Sequence, residues 1–282
     1  MPTSPFSSAQ AVRASVAGRL RDLRLDTGLT MQGLAGRCGW SKAKTSRIEA
    51  AKTAPSDADI RLWCAACDAE DQTADLIASS RSADSMYVEW RRVQRTGLRR
   101  LQQAGIPLYE RTKLFRIYCS RVMPGLLQTE GYAHALLSLI ADFRRLPDDV
   151  SEAAAARVDR SHIIRDGPHR VVMLIEEDVL TQRIGDESVM AGQLGHLLTA
   201  MSYPAVSLGI IPRSAPRSMW GPETFTVFDD KRVHVELLAA KVTVTTPSEV
   251  EIYRRAFARL SGMAVYGPRA RSLISRALDS LG

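Results

Sequence analysis

The sequence predicts two domains, an all-α domain followed by an α+β domain with a mostly antiparallel sheet. Up to about residue 81 the apolar residues recur only at helical spacing, whereas β-rich runs begin at residue 112. Residues 1–120 hold 19 Lys+Arg against 12 Asp+Glu, and the remaining residues hold 19 of each. The length of 282 residues suits about two domains. The basic excess therefore belongs to the first part of the chain.

Five short helices are predicted within residues 12–81, after a flexible arm of residues 1–11. The first has one apolar stripe, made by Val12, Val16, Leu20 and Leu23, with Arg24 away from it. Ser56 is expected to cap the fourth helix, and the fifth covers residues 71–80. Five short helices in about 70 residues predict a compact unit.

The second and third helices are predicted within residues 30–49. Thr30 is expected to cap the first of this pair and Ser41 the second, while Gly39 allows the positive φ of a sharp turn. Thr45 and Ile48 are expected to face the core, which leaves a basic outer face. This is the geometry of a helix-turn-helix, whose second helix lies in the major groove of DNA. The alternative is an ordinary helical hairpin with a solvated basic face.

This segment resembles the Cro/cI (XRE)-type repressor family, from the cap at Thr30 through the Arg-Ile-Glu that ends at Glu49. The resemblance implies that five positions face bases: Ser41, Lys42, Ala43, Ser46 and Arg47. It implies phosphate contacts for Lys44 and Lys52, and it adds Thr30 and Gln32 to the DNA-binding set.

The segment departs from the family pattern at three places. Met31 stands where Gln is common, and Thr45 stands where Val or Ile is usual. Ala50-Ala51 replaces a common Asn-Gly, so the recognition helix is expected to run on a little.

A linker helix is predicted over residues 82–110. Its first part is strongly basic, with Arg91, Arg92, Arg95, Arg99 and Arg100. We interpret it as a solvated linker, with a nucleic-acid contact as the alternative. Residues 105–107 (Gly-Ile-Pro) are expected to break it.

The α+β domain is predicted to begin at residue 111 and to contain about six strands. The strands are expected at residues 112–121, 170–176, 205–211, 224–228, 233–238 and 242–245, the last three antiparallel. Helices are expected at residues 129–143, 148–165, 177–184, 189–202, 246–265 and 268–281.

Residues 124–133 (PGLLQTEGYA) are similar to a signature of one group of actinobacterial regulators. The similarity continues through Arg157, Arg160 and a Gly-Pro pair at residues 221–222. These regulators join a helix-turn-helix to an antitoxin-like C-terminal domain of the Scr family. The resemblance implies that the second domain binds a small regulatory protein encoded nearby.

The sequence offers little support for catalysis or a metal. Phosphate-loop and nucleophile-elbow motifs are missing, so we expect no enzyme activity and no cofactor. Cys64 and Cys67 invite a redox or zinc interpretation, but we interpret them as core residues because no second ligand pair has matching spacing. His234 and Glu236 share a strand face and could be two metal ligands; a solvated strand face is the preferred interpretation.

The function expected from these observations is sequence-specific regulation of transcription. The partners would be double-stranded DNA, a second copy of the chain on a palindrome, and the small protein. No apolar run approaches a membrane span, and we expect a cytoplasmic, nucleoid-associated protein. Two alternatives stay open: an antitoxin-like protein that chiefly holds its partner, and a ligand-sensing regulator.

Overall fold

A computed structural model of the chain describes residues 5–81, 87–89 and 97–281. The chain divides into two compact units. The first holds the residues up to 87 together with residues 243–250, and the second holds the remainder.

Residues 5–81 of the first unit form the predicted all-α domain. Its five helices are α1 (Pro5–Asp26), α2 (Met31–Cys38), α3 (Lys42–Glu49), α4 (Asp57–Ala66) and α5 (Thr73–Arg81). Helix α1 begins at Pro5, so residues 5–11 continue this helix and are not the predicted flexible arm. Ser56 caps α4 as predicted, in a reciprocal pair of hydrogen bonds with Asp59.

The core of this unit is organised around Trp63. The ring is fully buried, and its Nε1–H donates a hydrogen bond of 2.9 Å to the Leu20 carbonyl oxygen. Cys64 and Cys67 are buried in the same cluster as free thiols, which confirms the prediction that they pack in the core. Burial raises the pKa of both thiols, so they are poor nucleophiles.

The second unit is α+β, as predicted, but its sheet is mixed rather than mostly antiparallel. The strands of the sheet are β1 (Tyr87–Glu89), β2 (Leu114–Cys119), β3 (Arg170–Glu176), β4 (Val206–Ile211), β5 (Phe225–Phe228), β6 (Arg232–Glu236) and β7 (Ala240–Val244). Of their residues, Tyr87, Thr243 and Val244 are grouped with the first unit. Their order is β1-β7-β6-β5-β2-β3-β4. Strands β2, β3 and β4 are parallel, whereas β5 is antiparallel to both β2 and β6.

Helical crossovers explain the parallel half of the sheet. Two helices, α7 (Glu130–Arg144) and α8 (Val150–Arg160), lie in the chain between β2 and β3. Two more, α9 (Asp178–Thr181) and α10 (Glu187–Ala200), lie between β3 and β4. Such connections are long enough to return the chain in the same direction, which a tight hairpin cannot do. Helices α11 (Pro247–Met263) and α12 (Gly267–Asp279) follow the last strand.

The prediction of one continuous linker helix over residues 82–110 is wrong. Residues 87–89 form strand β1, and helix α6 (Leu98–Arg111) begins later and continues through Pro107. The intervening basic residues Arg91, Arg92 and Arg95 lie outside the described residues. Proline inside a helix costs about 3 kcal/mol, and packing opposes that cost here. The Tyr109 ring lies 5.4 Å from the ring of Phe115, and Leu98 at the start of the helix is buried.

Candidate nucleic-acid interface

Helices α2 and α3 form a helix-turn-helix with the capping that the sequence predicts. The Thr30 hydroxyl accepts a hydrogen bond of 3.0 Å from the Gly33 N–H at the start of α2. Gly39 adopts φ 70°, and the Ser41 hydroxyl accepts a bond of 3.4 Å from the Lys44 N–H at the start of α3. The caps fix where each helix begins, and the glycine allows the sharp turn between them.

The outer face of α3 carries the predicted base-contacting residues. All five of these residues are exposed: Ser41, Lys42, Ala43, Ser46 and Arg47. The opposite face is fully buried through Thr45 and Ile48. Within the described residues, neither Lys42 nor Arg47 forms an ion pair, so both cations are available to an anionic partner.

Lys44 differs from the other two cations of α3 because its charge is already engaged. Its Nζ lies 2.5 Å from an Asp59 carboxylate oxygen and 4.2 Å from the centre of the Trp40 ring. Burial alone would raise the pKa of Asp59, but hydrogen bonds from Lys44 and Ser56 more than offset this, so the pKa is lowered. Lys44 therefore ties α3 to α4, and a phosphate would have to compete with Asp59 for it.

A buried ion pair holds the C-terminal end of α3 against α1. The Arg24 guanidinium donates hydrogen bonds of 2.5 and 3.0 Å to the two carboxylate oxygens of Glu49. It also donates one of 2.6 Å to the Leu29 carbonyl. The two side chains are only 7% and 4% exposed, so the interpretation of Arg24 as a residue away from the core is wrong. Its hydrogen bond to Glu49 raises the pKa of Arg24.

The remaining predicted DNA-binding residues lie at the edges of the motif. Gln32 is exposed at the start of α2, and Lys52 is exposed just after α3. Helix α3 ends at Glu49, with Ala51 in the left-handed region at φ 53°. The expected extension of the recognition helix is therefore wrong. Alanine can adopt this conformation at a cost of about 1–2 kcal/mol, which the surrounding fold offsets.

Thr45 contains an unsatisfied polar group in the interior of the motif. The side chain is fully buried, and its hydroxyl has no hydrogen-bond partner. Because an unsatisfied buried hydroxyl costs about 1–3 kcal/mol, Thr45→Val should raise the unfolding free energy of the first unit by about 1 kcal/mol. Calorimetry checks this prediction.

Thr112→Val is the matched control for this substitution. Thr112 is also buried, but its hydroxyl donates a bond of 2.6 Å to the Leu108 carbonyl, so no stabilisation is expected. If Thr112→Val raised the unfolding free energy as much as Thr45→Val, the missing hydrogen bond of the Thr45 hydroxyl would not be the cause.

Comparison with known families assigns both parts of the chain. A helix-turn-helix domain model matches residues 15–77, which include α2 and α3. A model described as a domain of unknown function, DUF5753, matches residues 110–276, more than half of the chain. The chain belongs to the DUF5753 family. No curated protein matches it. The helix-turn-helix match supports a DNA-binding regulator in general terms.

The DUF5753 domain contains a cavity of about 620 Å³ at the carboxyl ends of β2 and β3. This is the edge of a parallel sheet where α/β proteins commonly bind ligands. The Tyr118 hydroxyl donates a bond of 2.8 Å to Glu176, and Arg217 donates two more, of 2.9 and 2.6 Å, to the same carboxylate. Burial, together with the Glu176 carboxylate, raises the pKa of Tyr118. Glu223 and Glu236 also line the cavity.

The candidate metal ligands His234 and Glu236 do not form a larger cluster. In the part of the chain that the structure describes, no group of three or more His, Cys, Asp or Glu side chains could hold a metal ion. The His234 ring packs 4.7 Å from the Phe228 ring, and burial with nearby Lys241 and Arg232 lowers its pKa to about 3. Across the same described residues, no helix has the length and apolar character needed to span a bilayer.

Residues of the 124–133 run meet α8 and the turn that follows it in the DUF5753 domain. The Arg157 guanidinium donates a bond of 2.8 Å to the Gln128 side-chain oxygen. The Ser161 hydroxyl donates a long bond of 3.5 Å to the Gly125 carbonyl. Sequence reasoning identifies the run and Arg157 by resemblance, but it does not predict that they lie together.

Proposed function

We propose that the protein is a sequence-specific transcription regulator of the Cro/cI (XRE) type that places α3 in the major groove of DNA. The observation that carries this proposal is the division of α3 into two faces. Its buried face is anchored by Ile48 and by the Arg24–Glu49 pair. Its outer face exposes Ser46 together with Lys42 and Arg47, and these two cations form no ion pair in the described structure. A rigidly held helix with a polar, cationic outer face suits base recognition.

The test is to sequence the genomic fragments that the purified full-length protein retains from its native genome. A single helix-turn-helix reads few bases, so we propose a homodimer that reads a palindrome with half-sites about one helical turn apart. The expected result is one shared palindromic motif. Fragments with no shared motif, or light scattering that gives only monomer with and without the selected DNA, would contradict the proposal.

We also propose that the DUF5753 domain binds a small regulatory protein, in the manner of the Scr-type antitoxin-like regulators. The supporting observation is an exposed apolar pair on α7: Leu139 is 57% exposed and Phe143, one turn later, is 68% exposed. Purification from the native host should yield a small protein with the wild type and not with Phe143→Ser. If the wild type and Phe143→Ser recover the same proteins, the DUF5753 domain does not bind a partner through this surface, and the antitoxin-like alternative is lost as well.

Ligand sensing is the second candidate function, and the cavity beside Glu176 supports it. A ligand there would be expected to change the affinity for the selected DNA. If no compound from a metabolite library stabilises the protein against heat, this candidate is lost. We also propose a cytoplasmic, nucleoid-associated localisation, which rests on the proposed DNA binding and would be lost with it.

A further inference from the structure

Two arginines of α8 converge on one residue of α6 inside the second unit. The Arg157 Nε–H donates a bond of 3.3 Å to the Gln102 side-chain oxygen, and Arg160 donates one of 3.4 Å to the Gln102 carbonyl. The Arg160 guanidinium also lies 4.4 Å from the centre of the Tyr109 ring. Arg157 is half-buried, and Arg160 is only 9% exposed.

These arginines have no carboxylate partner in the described part of the chain. All their hydrogen-bond acceptors are neutral: the Gln102 and Gln128 side chains and one carbonyl group. Burial, and then the neighbouring Arg160, lower the pKa of Arg157 to about 10, which reflects the cost of holding its charge there. Charged side chains that are removed from water are ordinarily paired, so this arrangement is unusual.

The surroundings increase the positive charge rather than balance it. Half-buried Lys241 acts electrostatically on the same region, and burial lowers its pKa. Glu236 is the acidic group that acts on both Arg157 and Lys241. Arg157, Arg160 and Lys241 carry three positive charges and Glu236 supplies one negative charge. Arg232 also acts on Lys241, so the surplus of positive charge is at least two. The C-terminal end of α8 offsets only about half a charge.

One nitrogen of this cluster is left without any acceptor. The Arg160 Nε is buried and has no hydrogen-bond partner. Two glycines lie against the same guanidinium: a Cβ on Gly105 would lie 3.3 Å from one of its nitrogens, and a Cβ on Gly125 would lie 3.8 Å from another. A larger residue at Gly105 would therefore crowd the guanidinium. Arg157, which is partly exposed, forms the solvent side of the cluster, and Arg160 lies deeper.

We propose that Arg157 and Arg160 form a binding site for a small dianionic oxyanion, a phosphate monoester or a dicarboxylate. Guanidinium groups bind such oxyanions through paired, charge-assisted hydrogen bonds. The ligand would neutralise two of the surplus positive charges and supply an acceptor to the Arg160 guanidinium. The site lies in the DUF5753 domain and does not depend on the proposed DNA binding.

The test is a titration of the full-length protein with inorganic phosphate, and separately with succinate, by calorimetry and thermal unfolding at constant ionic strength. At least one of the two should bind with a dissociation constant at or below the millimolar range and raise the Tm, while chloride should not. Arg160→Met should weaken that binding at least tenfold. Arg165→Met, which removes an exposed arginine nearby, should leave it unchanged.

Measurements without any anion separate a binding role from a structural one. Arg160 makes one weak hydrogen bond and a contact with the Tyr109 ring, while its buried charge has no counter-charge and its Nε has no acceptor. Arg160→Met should therefore leave the Tm of the anion-free protein unchanged or higher. A lower Tm, with no response of the wild type to either anion, would overturn the proposal. Phosphate could also bind at α3, so the titration is repeated with Arg47→Ala, and the same affinity is expected. Binding that survives Arg160→Met would place the anion elsewhere and overturn the proposal too.

Discussion

Replacing Glu49 with glutamine is expected to lower the unfolding free energy of the helix-turn-helix unit by about 3–5 kcal/mol. The substitution preserves the size of the side chain but removes the charge that faces the buried Arg24. Arg24 then retains its bond to the Leu29 carbonyl, but its charge stays buried without a counter-charge. Urea unfolding or calorimetry that resolves the transition of this unit measures the loss.

Asp57→Asn is the matched control because it removes a carboxylate from an exposed pair in the same unit. Its partner Arg81 is 69% exposed, and exposed pairs contribute about 0–1 kcal/mol. The double variant Arg24→Met/Glu49→Met should lose less stability than Glu49→Gln, since it leaves no unpaired charge. A loss below about 1 kcal/mol for Glu49→Gln would show that the pair is not the anchor of α3.

Arg47→Ala is expected to weaken binding to the selected palindrome by about 1–3 kcal/mol for each half-site while changing the affinity for random DNA much less. The reason is that Arg47 lies on the exposed face of α3, has no ion pair in the described structure and can meet base edges. Binding isotherms on both DNAs at several salt concentrations measure the effect. Equal losses on the two DNAs would assign Arg47 to the phosphate backbone.

Lys52 and Lys44 provide the comparison for that experiment. Lys52→Ala should weaken binding to both DNAs about equally. It should also reduce the slope of log affinity against log salt concentration by about 0.9 for each phosphate group that the protein no longer neutralises. Lys44→Ala should change the slope less, because Asp59 already holds the Lys44 ammonium at 2.5 Å. A larger change in slope for Lys44 than for Lys52 would mean that DNA displaces Asp59.

The parts of the candidate interface that can be predicted from sequence are the local ones. Thr30, Gly39 and Ser41 act on backbone groups close to them in the chain, so their roles follow from residue type and spacing. The Arg24–Glu49 pair joins residues from different helices, and no local pattern indicates it. The contact of Lys44 with Asp59 escapes prediction for the same reason, since it depends on how α3 and α4 pack.

In the sheet, too, the sequence predicts local features but not contacts between distant parts of the chain. A continuous apolar run predicts β3 as a buried strand at its observed bounds, but strand direction depends on which neighbour each strand pairs with. The hairpin of β5 and β6 is local and is antiparallel as predicted, whereas the parallel pairing of β2 with β3 joins Leu114 to Arg170. The local preference of Pro107 predicts a helix break, and tertiary packing overrides that preference in α6.

The position of β2 between β3 and β5 has a consequence for synthesis on the ribosome. One edge of β2 can be covered once β3 has been made, but the other edge waits for Phe228, the partner of Phe115. During that interval a strand rich in Phe, Ile and Tyr presents unpaired backbone groups, which favours association between nascent chains. Truncations that end before residue 225 should therefore aggregate rather than yield a smaller folded domain.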